Sequence, residues 1–71
     1  MPRVSAREII AVLQRDGFIC TRQSGSHKIY KNRAGRRVTV PYHGRKILHP
    51  KVLKSICDDM GMNREELEKR L

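Results

Sequence analysis

Apolar positions keep helical spacing near both ends of this chain and alternate with polar ones in the middle. Ile9, Ile10 and Leu13, with Val12 beside them, form one apolar stripe. Ser5 and Glu8 stand just ahead of it as a capping box, each able to satisfy the other's backbone amide. Val4 and Ile9 occupy the two positions of a hydrophobic staple. Gly17 closes the segment, so a helix over 6–16 is predicted. Further on, Val52, Leu53, Ile56, Cys57 and Met60 repeat the helical spacing. Pro50 suits the first helical position, His49 the N-cap, and Gly61 the stop, which predicts a helix over 50–60. Asn63 and Glu66 repeat the capping pattern ahead of Leu67 and Leu71, which marks a short final helix.

Between these helices the pattern changes period. Segments 18–22, 27–31 and 36–40 carry β-branched and aromatic residues. They are separated by Gln23-Ser24-Gly25-Ser26 and by Asn32-Arg33-Ala34-Gly35, both with turn chemistry. The expected order is α-β-β-β-α with a small C-terminal helix: an α+β fold with a three-stranded antiparallel sheet and helices on one face. That order is the one found in double-stranded-RNA-binding domains. Alternation places Ile29, Val38 and Val40 inward, and Lys28, Tyr30, Arg37 and Thr39 outward. His27 shares the parity of Ile29, which points it to the rim of the helix-covered side, with the open face of the sheet as the alternative. With 71 residues, positions 1–71 form a single domain with an economical core.

Charge narrows the class. Lys and Arg number 16 against 7 Asp and Glu, a net charge of +9 and a pI near 10.4. Five of the seven acids lie at or beyond Asp58, whereas residues 22–54 hold ten basic residues and no acid. A localised positive field of this kind suits a phosphate backbone, and the expected partner is RNA. Cys20 and Cys57 each have apolar neighbours and no C-x-x-C spacing, which reads as buried thiols in a reducing cytoplasm. No apolar run is long enough to span a membrane.

Two stretches carry a family resemblance. Gly25-Ser26-His27-Lys28-Ile29-Tyr30 resembles the G-S-H-x-x-Y motif of the HicA (YcfA-like) toxins. Val38-Thr39-Val40-Pro41-Tyr42-His43 resembles their V-x-V-P-x-H segment, which leads into a basic connector. Asp16-Gly17-Phe18 and Met60-Gly61-Met62 fall at further family landmarks, so the resemblance runs through nearly the whole chain. It implies an mRNA-cleaving toxin with His27 as the catalytic residue, held silent by a HicB-type antitoxin.

The residues support that chemistry in their own right. RNA carries its own nucleophile, so cleavage requires help in moving protons, and imidazole titrates close to operating pH. Lys28, Lys31, Arg36 and Arg37 are candidates for holding phosphate oxygens, and Arg45 and Lys46 extend the set into the connector. Gly25 permits a positive φ and close approach of a phosphate, Ser26 offers a hydroxyl donor, and Tyr30 offers a ring for stacking or cover. His43 reads as a loop residue and His49 as a cap. No carboxylate lies between Arg22 and Lys54 and no His/Cys cluster has zinc spacing, so neither metal nor cofactor is expected. The rivals are a double-stranded-RNA-binding-like module that binds RNA without cutting it, and a basic surface that serves mainly to dock an acidic partner.

Overall fold

A computed structural model describes residues 3–43 and 46–71. Gly44 and Arg45, and with them one candidate RNA contact, lie outside the described residues. The element order is α1 (Ala6–Arg15), β1 (Ile19–Ser24), β2 (His27–Lys31), β3 (Arg37–Pro41), α2 (Pro50–Met60) and α3 (Arg64–Arg70). The three strands form one antiparallel sheet in the order β1-β2-β3. This is the expected α+β, double-stranded-RNA-binding-domain-like architecture.

The helix boundaries follow from local chemistry. Ser5 Oγ accepts the Glu8 amide at 3.2 Å, while Glu8 Oε1 accepts the Ser5 amide at 3.1 Å. His49 Nδ1 accepts the Lys51 amide at 3.1 Å and caps α2. At the other end of α2 the amides of Gly61 and Met62 donate to the carbonyls of Asp58 and Cys57, the two bonds of a Schellman stop. Gly61 has φ +76, and the Arg36 guanidinium lies against it, donating to the Asp59 carbonyl at 3.3 Å. A cation therefore sits on the negative end of α2. Asn63 and Glu66 cap α3 reciprocally, and the Arg70 side chain pairs with Asp16 to tie α3 to the end of α1.

The core is a single layer between sheet and helices. Ile9, Val12 and Leu13 of α1 and Leu53 and Ile56 of α2 pack over Val38 and Val40, and Leu67 of α3 closes one side. The Leu48 amide donates to the Val4 carbonyl at 2.8 Å, which holds the two helix entries side by side. Both main helices lie on β3, so β1 is exposed along its whole length. Cys20 is accordingly exposed and only Cys57 is buried, which corrects the expectation of two buried thiols.

The register of β2 corrects a second expectation. Tyr30 pairs with Val38 and Ile29 with Thr39. Tyr30, at 2 % exposure, is the inward residue, while Ile29 stands on the uncovered face. His-Lys-Ile-Tyr-Lys offers one large apolar side chain to each face, so alternation within the strand is degenerate. The β2–β3 turn decides between them. The Asn32 amide donates to the Arg36 carbonyl, the Gly35 amide to the Asn32 carbonyl, and the Arg36 amide to Asn32 Oδ1. This three-residue hairpin loop fixes Lys31 opposite Arg37. We expect Tyr30→Ala to cost about 3 kcal/mol or more in urea unfolding, the scale of an emptied aromatic core site. Ile29→Ala should cost about 1 kcal/mol or less. A reversed order would mean that β2 is inserted with the opposite face inward.

Candidate functional site

His27 opens β2 directly after a two-residue turn. Gly25 has φ +58 and Ser26 a negative φ, the pattern of a type II′ hairpin, and Gly occupies the position that requires it. Nothing lies within 4 Å of the place a Cβ would take on Gly25, so the turn is open above its backbone. Gln23 Nε2 donates to the Gly25 carbonyl at 3.1 Å, and the Tyr42 amide donates to the Ser26 carbonyl at 2.6 Å. His27 pairs with Ser24 on one side and Pro41 on the other, so both neighbouring strands hold its backbone. Its side chain is exposed and shares the face of Ile29 and Thr39. Of the two faces its parity with Ile29 allows, that is the open face of the sheet and not the helix-covered rim. The parity is right, and the face changed because Tyr30 took the core position.

The cations do not all gather around His27. Lys31 and Arg37 form a cross-strand pair on the open face, but at the far end of the sheet. Four residue steps along β2 separate Lys31 from His27, about 13 Å. Arg22 pairs with Ile29 and lies between the two ends. It was not singled out from the sequence because Thr21 forms a bulge in β1 and shifts the alternation after it. Thr21 Oγ1 donates to the Ile29 carbonyl at 3.2 Å across that bulge.

Other expected contacts lie elsewhere. Lys28 is on the helix side, with its ammonium 4.2 Å from the centre of the Tyr42 ring, a cation–π contact. Arg36 is engaged with the end of α2, and Tyr30 is buried in the core. Lys46 and His43 are exposed in the connector beyond β3. The site brings together Gly25, Ser26 and His27 with Pro41 and Tyr42, while Lys31, Arg36, Arg37 and Tyr30 are apart from it. Among the described residues no group of three or more His, Cys, Asp or Glu side chains comes together to hold a metal ion. None of the described helices is long and apolar enough to cross a membrane.

Residues 6–62 match the family model described as the HicA toxin of bacterial toxin–antitoxin. The chain belongs to the HicA toxin family. None of the curated proteins compared matches it. The matched span takes in α1, the whole sheet and α2, and with them His27 and the turn ahead of it. Membership implies the toxin component of a toxin–antitoxin system, with an antitoxin as partner and RNA as substrate. On this HicA chain the side chains of Arg22, His27, Lys31 and Arg37 are exposed.

Two groups beneath the open face of the sheet have displaced acidities. Burial pushes the Tyr30 hydroxyl above the ordinary 10.0, and burial with Asp58 nearby pushes the Cys57 thiol above 9.0. Both remain neutral in the folded chain at pH values where the unfolded chain loses these protons. Their contribution to stability is therefore complete below about pH 9 and lost as the pH rises through the folded values. Denaturation followed from pH 8 to 11 should show this decline. Tyr30→Phe should flatten its upper part, and an unchanged slope in that variant would remove Tyr30 as its source.

Proposed function

We propose that this HicA chain is a metal-independent endoribonuclease that cleaves mRNA in the cytoplasm, with His27 as its acid–base residue. The observation that carries this reading is the placement of His27: exposed, held by both neighbouring strands, beside an open Gly25-Ser26 turn, on a face carrying Arg22, Lys31 and Arg37. The imidazole takes the proton of the ribose 2′-OH as that oxygen attacks the adjacent phosphorus. The bond to the 5′-oxygen breaks, and this oxygen leaves with a proton from the imidazolium or from water. The products are a 2′,3′-cyclic phosphate and a 5′-hydroxyl. No carboxylate lies between Arg22 and Lys54, so the donor set for a Mg²⁺ ion is missing from this stretch of sequence.

The remaining candidates divide by position. Gly25 and Ser26 lie next to the reacting phosphate, with Ser26 as a hydroxyl donor. Arg22, Lys31 and Arg37 hold the backbone one or two nucleotides away. Lys46 extends the positive surface into the connector. Lys28 and Arg36 act through packing, on Tyr42 and on the end of α2, and Tyr30 through the core. A HicB-type antitoxin silences the toxin by covering the open face, and acidic side chains on it would complement Arg22, Lys31 and Arg37.

His27→Ala should keep its fold, because the side chain is exposed, and lose cleavage by about 10² to 10⁴, the usual worth of positioned acid–base help. EDTA should leave the wild-type rate unchanged. RNA affinity should fall with salt, log K against log[salt] sloping about −0.7 per phosphate contact on single strands. Arg22→Ala and Lys31→Ala should each make that slope shallower. A folded His27→Ala protein that cleaves RNA at the wild-type rate would refute the assignment. RNA binding without cleavage in the wild type would leave the non-catalytic RNA-binding module.

A further inference from the structure

Beyond the end of β3 a cleft of about 400 Å³ opens between the connector and α2, within the size range of small-ligand sites. Ile47, Leu48 and Val52 give it apolar walls, and Pro41 forms the wall nearest the sheet. Its polar groups are His43, Lys46 and His49, and among the described residues no carboxylate lines it. His49 Nδ1 accepts the Lys51 amide, so in the neutral ring the proton is on Nε2 and that nitrogen is a donor. Lys46 is a donor as well. The cleft thus pairs aliphatic surface with groups suited to carbonyl, ring-nitrogen and phosphate acceptors.

Its position matters as much as its lining. Pro41 is the residue opposite His27 in the sheet register, so one wall of the cleft belongs to the strand end that flanks His27. The open face itself offers no aromatic platform, because Tyr30 is buried and the Tyr42 ring is under Lys28. The cleft, with its apolar walls, is where a base can withdraw its faces from water.

We propose that this cleft seats the base of the nucleotide next to the scissile phosphate and makes cleavage base-selective. The link to the scissile phosphate rests on the ribonuclease reading of His27; the nucleotide seat can be tested without it. The four nucleoside 3′-monophosphates, and inorganic phosphate as control, would be titrated into ¹⁵N-labelled wild-type and His27→Ala protein. Amides of residues 46–52 should shift in both proteins, with affinities that differ among the four bases and exceed that of phosphate. Val52→Phe, which fills the cleft, and Lys46→Ala, at an exposed position, should each weaken binding about tenfold or more. Val52→Phe should also flatten the base preference at one position beside the mapped cleavage sites.

Nucleotide binding in the cleft without RNA cleavage by the wild type would remove the ribonuclease reading and leave the nucleotide seat standing. Cleavage with no nucleotide shift at residues 46–52, or with phosphate binding as well as every nucleotide, would overturn the base seat alone. The same holds if nucleotides leave the cleft untouched while Val52→Phe releases the antitoxin, which would make it a seat for the protein partner.

Discussion

The pairing of Tyr30 with Val38 fixes the side on which every residue of the middle strand emerges. Tyr30 is the largest side chain the sheet contributes to the core, and it fills the space beside Val38 and Val40 under the two main helices. A slip of one residue would bring His27, Ile29 and Lys31 under those helices. That would bury a cation against apolar side chains, at a cost of several kcal/mol unless it found a partner. The exposed position of His27 thus follows from a packing requirement three residues away. The hairpin loop held by Asn32 enforces the same register from the strand ends, so turn geometry and core packing agree.

A three-stranded sheet in so short a chain can be covered once. The helices take the β3 side, and the opposite face is left to solvent along with all of β1. The stability of the arrangement draws on its helix ends as well as its core. Reciprocal caps open α1 and α3, and Arg36 crosses from the β2–β3 loop onto the end of α2. The last contact takes one arginine out of the positive field and uses it to clamp the far end of the sheet to the helix layer. The face that remains open carries Arg22, Lys31 and Arg37 around Ile29 and Thr39, with His27 at one end. Such a surface suits a reaction in which the substrate brings its own nucleophile, because no deep chamber is needed to position one.

Membership of the HicA family implies two partners for this chain, an RNA and an antitoxin. A positive face that shows no carboxylate among the described residues suits a polyanion. The two differ in what else they require. A phosphate backbone needs little beyond charge, whereas discrimination among bases needs a recess with fixed donors. The cleft at the end of β3 has that second character and the open sheet does not.

Much of the fold was legible in the residues because its signals are local. Capping boxes, terminal glycines and helical spacing depend on neighbours within a few positions, and they placed α1 and α2 to within a residue of their observed ends. The motif around Gly25-Ser26-His27 and the acid-free basic stretch were equally plain, as was the family they resemble. Strand alternation read from the sequence turned the wrong face of β2 inward, because Ile29 and Tyr30 compete for the core at adjacent positions. It also left open which cations share a surface with His27. Those answers depend on the bulge at Thr21, on a turn that sets register, and on helices that cover β3 while sparing β1. Each is a relation between segments distant in sequence, and only the packed tertiary structure chooses among the alternatives that local pattern allows.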